Sequence, residues 1–170
     1  MKIISIIIIF CGFCSSLSLG QELKKDERPQ VVKIDRGSLY WLLGQSCQNG
    51  DEIGVKMLLK AGADVDGVTD YKLLEKTGFG IEPSWPINRA AGAGHGNIVK
   101  LLLANGARVD NPEGDGGGYT ALTFAVNGGH LDIVKILLER GARKDIKSPS
   151  GTPIEIAKRK MFLGIVSLLE

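Results

Sequence analysis

Two histidines, one cysteine outside an apolar leader, and a short acidic loop are the residues of this chain with chemistry to offer. His95 and His130 are its only histidines. Each follows a glycine and precedes an apolar run, so each opens a helix at the same place in a repeated pattern. That spacing sets them roughly 10 Å apart, one helix-packing distance. A shared metal ion would need closer approach and more ligands, so both are read as structural capping residues. Cys47 has no histidine predicted beside it, and neither has any serine, so no nucleophile–base–orienter set forms. It falls at a small-residue position of a packed helix and is expected to be buried. Asp110, Glu113 and Asp115 offer oxygens to calcium, but their spacing departs from the EF-hand loop and its closing glutamate is missing. The neighbouring Gly114-Asp115-Gly116-Gly117-Gly118 lacks the strand, helix and lysine of a phosphate loop. The sequence therefore assigns no catalytic residue, no metal ligand and no cofactor.

The elements that carry these residues are copies of one another. Asn49-Gly50-Asp51 leads into Val55-Lys56-Met57-Leu58-Leu59 and closes on Ala61-Gly62-Ala63-Asp64-Val65-Asp66. Gly94-His95-Gly96-Asn97 leads into Ile98-Val99-Lys100-Leu101-Leu102-Leu103, then Asn105-Gly106-Ala107-Arg108-Val109-Asp110. Gly129-His130-Leu131-Asp132 leads into Ile133-Val134-Lys135-Ile136-Leu137-Leu138, then Arg140-Gly141-Ala142-Arg143-Lys144-Asp145. A unit of this size cannot bury its apolar face alone, so tandem copies must stack into a solenoid. Each copy resolves into two short helices and a turn. In the third, Thr120 caps a helix through Val126, and a second helix runs from about His130 to Glu139 with apolar residues at helical spacing. Gly62, Gly106 and Gly141 sit where a left-handed residue must end the second helix. A partial fourth copy opens on Thr152-Pro153, an N-cap followed by proline at the first helical position, and Lys158, Arg159 and Lys160 polarise it as a terminal unit requires.

On these residues the chain resembles the ankyrin-repeat family. Tyr119-Thr120-Ala121-Leu122-Thr123-Phe124-Ala125-Val126-Asn127-Gly128-Gly129-His130, with Ile133 to Leu138 and Gly141-Ala142, is similar to one whole repeat. Trp85-Pro86-Ile87-Asn88-Arg89-Ala90-Ala91 with Gly94-His95 and Gly106-Ala107, and Thr152-Pro153-Ile154, match it as well. The resemblance implies an all-α solenoid of about four stacked helix-turn-helix units with hairpin-like fingers, at approximately 37–67, 84–111, 118–147 and 150–170. Trp41 and Trp85 stand where the family usually has threonine, and Gly44, Asn88, Thr123 and Glu155 where it usually has histidine. The hydrogen bond between that pair is therefore not expected in the family's own form.

Residues 1–20 read as a secretory signal peptide: Lys2, an apolar run from Ile3 to Phe13, and small residues at Ser18 and Gly20 before a start at Gln21. The run is short for a spanning helix. Cys11 and Cys14 fall within the signal, leaving Cys47 without a partner for an intramolecular disulfide. Residues 21–36 form a charged, flexible leader, and 37–170 the repeat domain. A net charge of +2, with neither sign in a long block, gives no basic stripe for nucleic acid.

The spacing of the glycines locates two insertions, because the first and second copies lie further apart than the family's ~33-residue period. The longer, 68–83, holds Tyr71, Leu73, Leu74, Phe79 and Ile81, too apolar for a plain solvated loop. It is read as a packed mini-helix, part of which serves as an aromatic contact patch. The family's variable helix positions, carried over residue by residue, give Gln45, Gln48 and Asn49, then Arg89, Gly92 and Ala93, then Phe124, Asn127 and Gly128. The fingers add Val68, Ile81, Glu82, Ser84 and Tyr119. Partner-binding candidates are Gln48, Asn49, Tyr71, Phe79, Trp85, Arg89, Tyr119, Phe124 and Asn127. The expected product is a non-catalytic, monomeric, exported module that binds a partner protein of unknown identity. It is placed in a periplasm, with the extracellular space as the other compartment, as an accessory or protective factor or an immunity-type inhibitor. Two other readings stand beside it: a membrane-tethered scaffold with its signal uncleaved, and an enzyme or metal protein using 68–83 as a lid.

Overall fold

Among the described residues a left-handed glycine follows each of the first six helices, and a side chain caps the start of three helices. The computed structural model describes residues 36–67, 85–110 and 118–170. The signal peptide, the leader, the 68–83 insertion with Tyr71 and Phe79, finger positions 68, 81, 82 and 84, and the glycine-rich 111–117 loop lie outside them.

Among the described residues there are eight helices and no strand, only isolated bridges such as Ser148–Gly151. They form four pairs: α1 (Arg36–Asn49) with α2 (Glu52–Lys60), α3 (Pro86–Gly92) with α4 (Gly96–Ala104), α5 (Ala121–Gly128) with α6 (Leu131–Glu139), and α7 (Pro153–Arg159) with α8 (Leu163–Leu169). The caps explain where several of them begin. Asp51 accepts the Gly54 amide at 2.8 Å, and Thr120 accepts that of Thr123 at 3.3 Å. Thr152 and Glu155 form a reciprocal capping box at the start of α7. The second helices of the first three pairs end on Gly62, Gly106 and Gly141 at φ +91°, +90° and +83°. A Cβ at these glycines would meet nothing within 4 Å, so the backbone angle alone selects them.

One continuous apolar seam runs through all four pairs. Leu43, Val55, Ala90, Val99, Leu102, Leu122, Val126, Val134, Leu137 and Ile156 are each completely buried. A leucine or isoleucine so placed contributes roughly 1.5–3 kcal/mol. The first helices of successive pairs are in closer contact than the second helices. An array packed more tightly along one row bends toward that row, so α1, α3, α5 and α7 line the inner side. No helix among the described residues is long and apolar enough to cross a membrane.

Candidate partner-binding face

The histidines do not cap their own helices. His95 and His130 occupy the N-cap positions of α4 and α6, but neither ring bonds its own helix. Instead each reaches back one unit. His95 Nε2 lies 3.0 Å from the Gln48 carbonyl oxygen, and His130 Nε2 lies 3.0 Å from that of Gly92. A carbonyl can only accept, so Nε2 carries the proton in both rings. Glycine on the preceding unit makes room for them: a Cβ on Gly50 would stand 2.7 Å from the His95 ring, and one on Gly94 2.8 Å from that of His130.

The fourth unit has no histidine, and two residues divide the task. Phe162 puts its ring over Gly129, where a Cβ would come within 3.0 Å. Lys160 Nζ donates to the Asn127 carbonyl at 2.7 Å. Gln48, Gly92 and Asn127 are equivalent positions of three successive units, so one carbonyl of each first helix is clamped by the unit that follows.

A second ladder runs along the opposite end. The Arg108 amide donates to Asp66 Oδ1 at 2.8 Å, and the Arg143 amide to Asp110 Oδ1 at 3.1 Å. Asp145, next in that series, turns to the Arg143 guanidinium at 2.8 Å instead. That contact holds its carboxyl below the ordinary range and raises Arg143. Both groups are fully exposed, and such pairs add little to stability.

The threonine–histidine pair expected of the family is replaced by other bonds. Thr120 Oγ1 bonds Thr123 Oγ1 at 3.2 Å, and Asn88 Nδ2 donates to the Tyr119 carbonyl of the next unit at 3.4 Å. Glu155 Oε2 accepts the Thr152 amide at 2.9 Å, which lowers its carboxyl pKa.

These ladders hold a row of side chains on the inner side. Gln48 and Asn49 are exposed at the end of α1. Arg89 of α3 leans across the unit boundary and donates from Nη1 to Gln48 Oε1 at 3.0 Å. Its stem lies over Gly44, where a Cβ would stand 3.4 Å from Cδ. Phe124 repeats the arrangement one unit on, half-buried over Gly92 at the same 3.4 Å. Its ring lies 5.8 Å from that of Tyr119, whose hydroxyl bonds Ser150 Oγ at 2.9 Å. Trp85 is half-buried against the core just before Pro86, and Asn127 is exposed at the end of α5. The structure therefore brings Gln48, Arg89, Phe124 and Asn127 onto successive first helices, with Tyr119 beside Phe124.

Sequence reasoning missed Arg159 and Lys160 as members of this row. Aligning Met161 with Gly129 as the left-handed residue of its unit would have placed Arg159 in register with Asn127, and Phe162 with His130.

Cys47 is completely buried, and burial pushes its thiol up to about 12, with the nearby Arg89 charge opposing the shift. A thiol held protonated is a poor nucleophile. On the second-helix side, a groove of about 730 Å³ is lined by Glu52, His95, Lys100, His130, Asp132 and Ile136, among others. Its two imidazoles are the ones engaged with carbonyls. No cluster of three or more metal-binding side chains occurs among the described residues.

Compared with known families, residues 43–148, more than half of the chain, match the model described as ankyrin repeats in three copies. No curated protein matches the chain.

Proposed function

Because the chain belongs to the ankyrin-repeat family, whose repeats are protein–protein interaction modules, we propose that it captures a partner protein on the face formed by α1, α3, α5 and α7 and the adjoining turns. The observation that carries this reading is the row Gln48, Arg89, Phe124 and Asn127. It consists of polar and aromatic side chains drawn from three successive first helices, Gln48 from α1, Arg89 from α3, and Phe124 and Asn127 from α5, on a backbone clamped at both ends. A surface so pre-ordered loses little conformational entropy on association, and aromatic and arginine anchors are the side chains that dominate binding energy.

The protein acts without catalysis, as repeats of this family generally do. Export follows from the N-terminal segment: Lys2, the apolar run and the small residues before Gln21 have the form of a cleavable signal. A periplasm is the compartment that best suits a short signal ahead of a domain with a single cysteine. There the protein serves as an accessory or protective factor for another protein, or as an inhibitor that occupies one. On the sequence alone, Tyr71 and Phe79 of the 68–83 segment join this reading as further contact residues.

Two measurements test this. N-terminal sequencing of exported material should begin at Gln21; a start at Met1 supports the tethered reading instead. Pull-down from periplasmic extract should lose its principal captured protein when Arg89, Phe124 and Asn127 are replaced by alanine together. Undiminished capture by a folded triple variant would remove the inner face from consideration.

A further inference from the structure

The inner face carries an uneven charge. Arg89 stands on α3, and Arg159 and Lys160 stand at the end of α7 and in the turn after it. Phe124 lies on the helix between them. The only carboxylates among the described residues of the first helices and the turns that follow them are Asp51 and Glu155. Both are tied to caps, Asp51 to the Gly54 amide at 2.8 Å and Glu155 to the Thr152 amide at 2.9 Å, although Glu155 also lies close enough to Arg159 and Lys147 to feel their charges. The second helices differ, since Glu52, Asp132, Glu139 and Glu170 are interspersed there with Lys56, Lys60, Lys100, Lys135 and Arg140. Lys158 of α7 is itself paired, its Nζ lying 3.5 Å from Glu170 at the end of the last helix. On the inner row, among the described residues, Arg89 donates to the neutral amide of Gln48 and Lys160 to the Asn127 carbonyl.

Resting on the protein-binding reading above, we infer that the partner presents an acidic protein segment to this face. A large apolar side chain of that segment seats on Phe124, between carboxylates that reach Arg89 on one side and Arg159 with Lys160 on the other. Units stack at roughly 10 Å, so the two cationic ends lie about 20 Å apart. An extended chain covers about 3.3 Å per residue, which places the carboxylate groups about six residues from one another. Complementary charge of this kind sets specificity and association rate more than total affinity. A nucleic acid fits less well, because the cations are separate points interrupted by an aromatic ring and form no continuous stripe.

The test uses random peptides displayed on phage, selected against the mature protein, with the most enriched sequence then synthesised. Enrichment of Asp or Glu flanking Phe, Leu or Trp is expected. Binding of that peptide should weaken roughly tenfold in Arg89→Gln and in Arg159→Glu, a loss of about 1.4 kcal/mol, and should be unchanged in Lys135→Glu. Circular dichroism establishes that each variant is folded. Enriched peptides that are neutral or basic, yet lose affinity on Phe124→Ala, would overturn the acidic assignment and leave protein binding standing. Peptides indifferent to every inner-row change would overturn both. Failure to enrich any peptide, or equal affinity for a single-stranded oligonucleotide, would overturn the inference.

Discussion

Met161 has a left-handed backbone, φ +59°, at the position that Gly50, Gly94 and Gly129 hold in the other units. A side chain there strains the backbone by roughly 1–2 kcal/mol, and 79 % exposure means that little packing offsets it. Met161→Gly should therefore raise stability by about 1 kcal/mol in urea unfolding, after allowing for the greater freedom of glycine in the unfolded chain. A loss of stability would show that the methionine side chain is held by contacts. Cys47 gives a second prediction at this scale. Its folded pKa of about 12 lies above the ordinary 9.0, so the native thiol should resist alkylation at pH 8 and react at the rate of unfolding. The sign for stability follows. Nothing is lost below pH 9, and stability falls as pH rises from about 9 toward 12, where only the unfolded chain ionises. Rapid labelling of the folded protein would contradict the burial. That burial was legible in the sequence, because Cys47 occupies a position where the second and third units carry the apolar Ala91 and Val126. The strain at Met161 was not, since a methionine in a charged stretch carries no signal of its backbone angle until the units are superposed.

Among the elements, Leu102 of α4 and Leu137 of α6 sit in the shared seam with no exposed surface. Replacing either with alanine should cost about 2–5 kcal/mol and shift one cooperative urea transition. Unaltered unfolding in both variants would contradict stacked packing. The histidines supply a finer test. Phe162 shows that an apolar ring fits over the glycine of the preceding unit, so His130→Phe should keep the packing and lose only the bond to Gly92. About 1 kcal/mol of destabilisation is expected, seen as a lower urea midpoint. A loss of several kcal/mol would mean the ring does more than bridge two units. The start of α7 was readable from Thr152-Pro153, because caps are local and a few neighbouring residues specify them. The destination of the histidines was not, since Gln48 and Gly92 are remote in sequence and meet the rings only after stacking. The same reason hid the Asp66 and Asp110 ladder and the bond from Asn88 to Tyr119.

At the scale of the molecule, repetition made the solenoid visible, and departures from repetition mark where its individual character lies. Arg89 and Phe124 lie over Gly44 and Gly92 of the units before them, and Lys160 with Phe162 replaces a histidine in the last unit. These departures collect on the inner row, while the second helices keep their shared apolar pattern. The inner row is therefore the surface expected to meet the partner. Site-specific photo-crosslinking in periplasmic extract addresses this most directly, with a benzophenone side chain introduced at Asn127 in one preparation and at Lys135 in another. Both positions are exposed and lie on paired helices of one unit. A discrete protein adduct is expected from position 127 and none from position 135; an adduct from position 135 alone would contradict binding on the inner row.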